Sequence, residues 1–241
     1  MRTPKRLANN PIIDAVAEVR FSSIIPNDAV IGLVYSNLQD TFGKPENLPI
    51  LQIPAALREN DPNLRYQACY KFTKPGNVLL IGPHNVALST YPYLDWASAS
   101  PLLGEILSRL NAVQLFDRIE RIGLRYVNFF ENLNICDHST LRLEVRNTSI
   151  AKQSVTLRTE TNYNDFKVIT QISNSATAQV AGESKSGSIL DLDVVKDDFN
   201  IMADSLPVSL MNLFVSANEV ADFAFFNLLA DDFIATFGPE Y

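Results

Sequence analysis

Between Ile13 and Phe21 the apolar residues Ile13, Ala15, Ala17, Val19 and Phe21 alternate with a face carrying Asp14, Glu18 and Arg20, on which Val16 is the one apolar member. A period of two marks a strand with one face buried and the other in polar surroundings. The pattern returns at Arg118–Phe130. There Ile122, Leu124 and Tyr126 share one face, and Arg121, Gly123, Arg125 and Val127 share the other. Such strands need a second layer over the apolar face, and one-sided alternation is the habit of antiparallel sheets.

Around these strands the chain reads as an α+β protein. Pro26-Asn27-Asp28 opens a helix whose stripe is Val30, Leu33, Val34, Leu38 and Phe42, and Gly43 with Pro45 stops it. Residues 44–64 are rich in Pro, Asn and Glu and form an irregular excursion. Leu64–Thr73 then reads as a strand, Lys74-Pro75-Gly76-Asn77 as a turn, and Val78–Leu88 as the hairpin partner. Ser98 or Ser100 is placed to cap a second helix with Pro101 at its first position, buried through Leu103, Ile106, Leu107 and Leu110.

The first 131 residues thus predict β-α-β-β-α-β, and residues 132–241 a second, strand-rich half. In that half TLRLEVR from Thr140, SVTLRTE from Ser154, FKVITQIS from Phe166 and ILDLDVV from Ile189 read as strands, with a turn at Asn162–Asp165 and a polar stretch at Asn174–Ser188. Glu-Val-Arg occurs at Glu18–Arg20 and again at Glu144–Arg146, which hints at a degenerate duplication of one sheet-plus-helix unit. Ser216 with Glu219 gives a capping-box start to a last helix. Its residues Val220, Phe223, Phe225, Phe226, Leu228, Leu229 and Phe233 cover most of the circumference. A helix apolar all round either threads between two layers or forms a subunit interface.

Composition excludes several function classes. Net charge is −7 and the pI is near 4.9. Phosphate recognition needs concentrated Lys and Arg, and the only dense basic stretch is the tip Arg2, Lys5 and Arg6, so nucleic acid is not an expected partner. Two cysteines, Cys69 and Cys136, and two histidines, His84 and His138, cannot build a Cys-rich zinc site. Cys136 and His138 read as a buried thiol beside a loop imidazole. MRTPKRLANNPIID lacks the apolar core of a secretion signal, and no apolar run reaches the ~20 residues of a membrane span, so a cytoplasmic location is expected.

Catalytic motifs are missing. Gly182 and Gly187 have the spacing of a phosphate-binding loop, but Ser188 stands where its Lys belongs. No G-x-G-x-x-G or G-x-S-x-G occurs, and His84 reads as a strand-end histidine. Asp191 and Asp193 share one strand face, where a pair of carboxylates can hold a metal or move protons, or simply meet solvent. Arg121 and Arg125 share a face at roughly 13 Å separation, given about 3.3 Å per residue. Glu18 and Arg20, and Glu144 with Arg142 and Arg146, are placed to lie alongside. Together they predict either a polar groove for an anion or an inter-strand ladder of ion pairs.

The segments LANNPIIDAVAEVRF, NVLLIGPHNVALST, Tyr93 with Trp96, RIERIGLRYVNFF and SILDLDVV, ahead of a Phe-rich last helix, carry a resemblance. In their order they resemble a sporadically distributed bacterial family of similar length, named without an assigned activity. The resemblance brings no catalytic residues. It implies an accessory gene product such as a phage-defence or toxin–antitoxin component.

The residues therefore predict a binding or regulatory protein without cofactor or metal, acting through a protein partner or self-association. One rival is a binder of a small anion, a nucleotide or phosphorylated metabolite, at Arg121, Arg125, Arg20 and Glu18. The other is a metal-dependent hydrolase or nuclease at Asp191 and Asp193.

Overall fold

Alternation at the first strand translates directly into layers. In the computed structural model, which describes residues 4–180, 182–197 and 206–241, Ala15, Ala17, Val19 and Phe21 are buried while Asp14, Val16, Glu18 and Arg20 are half-buried on the other side. Strands are numbered in chain order. They are β1 (Arg6–Leu7), β2 (Ile12–Ser22), β3 (Glu46–Asn47), β4 (Tyr70–Lys74), β5 (Asn77–Gly82), β6 (Asn85–Thr90), β7 (Arg118–Glu131), β8 (Glu144–Val145), β9 (Thr148–Ser149), β10 (Thr156–Tyr163), β11 (Phe166–Val180), β12 (Glu183–Asp197) and β13 (Pro239–Glu240). The helices are α1 (Asn27–Leu38), α2 (Ala55–Asn60), α3 (Trp96–Ala112), α4 (Leu206–Leu228) and α5 (Asp231–Ala235).

Nine strands form one antiparallel sheet in the order β10-β11-β12-β7-β2-β6-β5-β4-β3. The joint between residues 1–131 and 132–241 is the pairing of β12 with β7, which sets Asp193 opposite Arg125 and Leu192 opposite Tyr126. One face of the sheet is covered by helices, α4 lying on β7, β11 and β12 and α3 running between α1 and α4. Apolar residues of both segments meet in a single buried cluster that includes Val19, Phe72, Leu107, Ile122, Val194 and Phe214. The opposite face of the sheet carries the polar side chains.

Several elements differ from the sequence reading. Val78–Leu88 is not one strand but two, β5 and β6, turned at Pro83 and His84, and residues 44–64, expected to be irregular, hold β3 and α2, so the first half runs β-β-α-β-α-β-β-β-α-β. The strand predicted from Leu64 begins only at Tyr70. The turn before β5 is as expected, with Gly76 at φ 77°, a conformation open to Gly at little cost. TLRLEVR contributes only β8, a two-residue ribbon paired with β9 outside the main sheet. The polar stretch 174–188 is mostly ladder, because β11 and β12 continue as a paired arm to Val180 and Glu183. Backbone hydrogen bonds hold such an arm whether or not its side chains are apolar.

Helix starts also moved. Helix α3 begins at Trp96, capped by the Asp95 carboxylate, which accepts from the Ser98 N–H at 2.7 Å. Helix α4 runs from Leu206, so Ser216 lies inside it and caps nothing. Its buried line is Leu206, Leu210, Phe214, Ala217, Val220, Ala221 and Phe225, facing the sheet and α3, while Val208, Val215 and Phe223 are exposed on its outer side. Apolar residues therefore lie on the outer side of the helix as well as on its buried line, among the exposed polar residues Asn212, Glu219 and Asn227. Among the described residues no helix is long and apolar enough to cross a membrane. Of the basic tip, Lys5 and Arg6 are exposed, and Arg2 lies outside the described residues.

Candidate functional site

The polar face of the sheet gathers Glu18, Arg20, Arg121 and Arg125, as their strand positions predict. Each guanidinium has a carboxylate partner. Arg125 binds Asp191 through two hydrogen bonds of 2.8 and 2.6 Å, and the carboxylate makes the guanidinium hold its proton more tightly than usual. Arg121 reaches Asp193 at 3.3 Å and Asp197 at 4.0 Å, and Arg20 donates to Glu18 at 2.9 Å. Burial raises the Asp193 carboxyl above its ordinary range, against the opposing pull of Arg121. Asp14 completes the row, accepting from the Ser89 hydroxyl at 2.7 Å.

Asp191 and Asp193, flagged as a carboxylate pair, are thus the partners of the two arginines. Glu144 lies apart from this face in the β8/β9 ribbon, whose approach is tied to the end of α4 by the Thr140 N–H bonding the Leu228 carbonyl at 2.8 Å. The pattern on the polar face is the inter-strand ladder. A free anion there must compete with carboxylates already bound. The Arg125 side chain is 49% exposed, but Asp191 is only 14% exposed and the pair is bidentate, so removing the guanidinium leaves a mostly buried carboxylate without its partner. Arg125→Ala is therefore expected to lower stability by about 1–3 kcal/mol in urea unfolding. No measurable loss contradicts that account of the ladder.

The other candidate motifs resolve simply. His84 sits at the β5–β6 turn, 6% exposed, with its Nε2 3.0 Å from both carboxylate oxygens of Glu59. Cys136 is buried, and the His138 ring stacks on Phe233 at 4.6 Å. Among the described residues no three His, Cys, Asp or Glu side chains converge as metal ligands.

A larger feature lies on the helical side. A cavity of about 750 Å³ opens between β1, the segment Tyr93–Ala97, β7 and α4. Leu7, Ile12, Trp96, Leu192, Phe225 and Phe226 give it apolar walls, while Tyr93, Tyr126, Asn218 and Asp222 give it a polar floor. Glu219, Asp95 and Glu240 add further acid at its boundary, against Lys5 and Arg6.

The floor is a directional chain. Tyr126 donates its hydroxyl proton to Asn218 Oδ1 at 2.7 Å, so at 3.0 Å Tyr93 must be the donor and Tyr126 the acceptor. The Asn218 amide then donates to Asp222 Oδ2 at 3.1 Å. Both tyrosine hydroxyl protons and one Asn218 N–H are committed along the chain, which ends on the Asp222 carboxyl. Burial pushes the Asp222 carboxyl up to about 7, with Glu219 adding to the rise and the Asn218 hydrogen bond opposing it. Burial also raises the Tyr126 hydroxyl well above its ordinary range and Tyr93 with it. The indole N–H of Trp96, a cavity-lining residue, is buried without a partner.

None of these five residues was singled out as a site by their chemistry in the sequence. One local signal was present: Asn218 and Asp222 stand at i and i+4, hence on one face, of a helix rich in apolar residues. No protein-family model matches the chain, and no curated protein shows significant similarity to it.

Proposed function

We propose that the chain is a binding protein that captures a small organic cation, an amine or amidine on an apolar body, in the cavity floored by Asp222. The observation that carries this reading is the hydrogen-bond chain Tyr93–Tyr126–Asn218–Asp222, which ends on an acceptor inside aromatic walls. The Asp222 carboxylate accepts from Asn218 through Oδ2 and offers its other oxygen to a donor from the ligand. Aromatic faces add attraction for a cation, and the volume lies in the range of small-molecule sites. The described lining contains no Ser, Thr, Cys or His, so it lacks the usual nucleophile-and-base pair of covalent catalysis. Binding is the economical reading.

Benzylamine and 2-phenylethylamine, tested by thermal unfolding at pH 8 with Asp222 ionised, are expected to raise Tm. A ligand at a hundredfold its Kd adds about 2.7 kcal/mol. Benzyl alcohol and phenylacetate are expected to give much smaller shifts, and Asp222→Asn to remove the preference for the amine. Equal stabilisation by the three chemistries, or none by any, overturns the proposal.

A further inference from the structure

The sheet ends on β10, whose outer edge pairs with no other strand among the described residues. Strand β10 is the outer neighbour of β11, and Thr156, Arg158, Thr159, Glu160, Thr161, Asn162 and Tyr163 are exposed along it. The opposite edge is only the two-residue β3. A long open edge is a template for another strand, and proteins ordinarily blunt it.

The direction of its free hydrogen bonds follows from the register. Tyr163 pairs with Phe166 across a two-residue turn, and at the far end the Val155 carbonyl accepts from the Asn174 N–H at 3.2 Å. Odd-numbered residues therefore bond inward to β11, and Thr156, Arg158, Glu160 and Asn162 turn their N–H and C=O groups outward. The side chains alternate too. Tyr163 stacks on Phe223 of α4 at 4.4 Å, which assigns the odd positions to the helical side.

We infer that β10 pairs antiparallel with β10 of a second copy about a twofold axis at Thr159, joining two sheets into one. Outward-bonding residues must oppose each other, so the register moves in steps of two residues, and charge selects among the steps. With the axis at Thr159, Arg158 opposes Glu160 of the second copy and Glu160 opposes its Arg158. Centred on Arg158 the strands set Arg against Arg, and centred on Glu160 they set Glu against Glu. Opposite charges across a strand pair stabilise it and like charges destabilise it. In the chosen register Tyr163 also opposes Val155 of the second copy, beside Phe223, so an apolar contact closes each end on the helical side. The existing Arg158–Glu160 and Glu160–Lys167 pairs, at 2.6 and 3.7 Å, are exposed and free to exchange partners.

Light scattering coupled to size exclusion reads the result. Wild type is expected at twice the 26.8 kDa chain mass. Arg158→Glu sets like charges opposite each other on both sides of the axis and is expected to weaken association about tenfold or more, shifting the mass toward one chain. The exchange of both charges, Arg158→Glu with Glu160→Arg, is expected to restore the double mass, which a merely misfolded variant does not do. A wild-type mass of one chain at high micromolar concentration, a double mass kept by Arg158→Glu, or no recovery in the exchanged variant each overturns the inference.

Discussion

Replacing Asp222 by Asn is expected to abolish a pH dependence of stability worth about 2–4 kcal/mol between pH 4 and pH 8. Burial holds the folded-state carboxyl at about 7, whereas an Asp in the unfolded chain titrates near 3.9. Between those values the folded protein keeps a proton that the unfolded chain has lost. The stabilisation is complete below about pH 4 and is lost as pH rises through about 7, the sign expected of a raised acid. Three units at about 1.4 kcal/mol each set the ceiling, lowered by the partial exposure of the site.

The groups facing Asp222 limit other sources of the slope. Tyr93 and Tyr126 stay protonated across the window. Asp95, Glu240, Lys5 and Arg6 around the cavity remain in both proteins and cancel in the difference, while the repulsion that Glu219 adds to the Asp222 rise disappears with the carboxylate and is part of the effect measured. Urea unfolding of wild type and Asp222→Asn at intervals across the window gives that difference directly. Wild type should lose stability relative to the variant as pH rises. Parallel curves contradict a buried, proton-holding Asp222.

Phe214→Ala is expected to cost about 3–5 kcal/mol, the range for emptying a fully buried aromatic site. Phe214 has no exposed surface and lies on the buried line of α4, with the Trp96 ring 6.3 Å away. Deleting it leaves a void between α4 and α3, where neither helix can close without lifting from the sheet. At roughly 2–4 °C per kcal/mol for a chain of this size, Tm should fall by about 10 °C or more. Because the cluster draws on both segments of the chain, Trp96 fluorescence and far-ultraviolet dichroism should report the same transition in wild type and variant. A loss under about 1 kcal/mol contradicts the placement of α4 in the core.

How much of this was legible in the sequence depended on the range of the interactions involved. The faces of β2 and β7 could be read because a strand of period two shows its burial in neighbouring residues. The break between β5 and β6 was signalled by Gly82-Pro83. Asn85, Val86, Ala87 and Leu88 of β6 are all buried, so no alternation set one strand off from the next. The start of α4 was misread because Ser216 and Glu219 fit a capping box while lying mid-helix. The arm formed by β11 and β12 escaped because ladder bonds leave no apolar pattern where side chains meet water.

The polar face was half legible. Arg121 with Arg125, and Asp191 with Asp193, each share a strand, but that they are one another's partners depends on the register of β7 against β12. The cavity was hidden for the same reason: Tyr93, Trp96, Tyr126 and the Asn218–Asp222 pair come from separate elements.

The most direct test of cation capture in the cavity is a nitrogen–proton correlation spectrum of the labelled protein, titrated with benzylamine at pH 8. The chain has a single Trp, so the indole N–H of Trp96 gives one unambiguous signal at the cavity wall. Saturable movement of that signal and of the Asn218 side-chain amide, lost in Asp222→Asn, is the predicted result. An unmoved indole, with shifts confined to the Arg121 and Arg125 face or found nowhere, contradicts it.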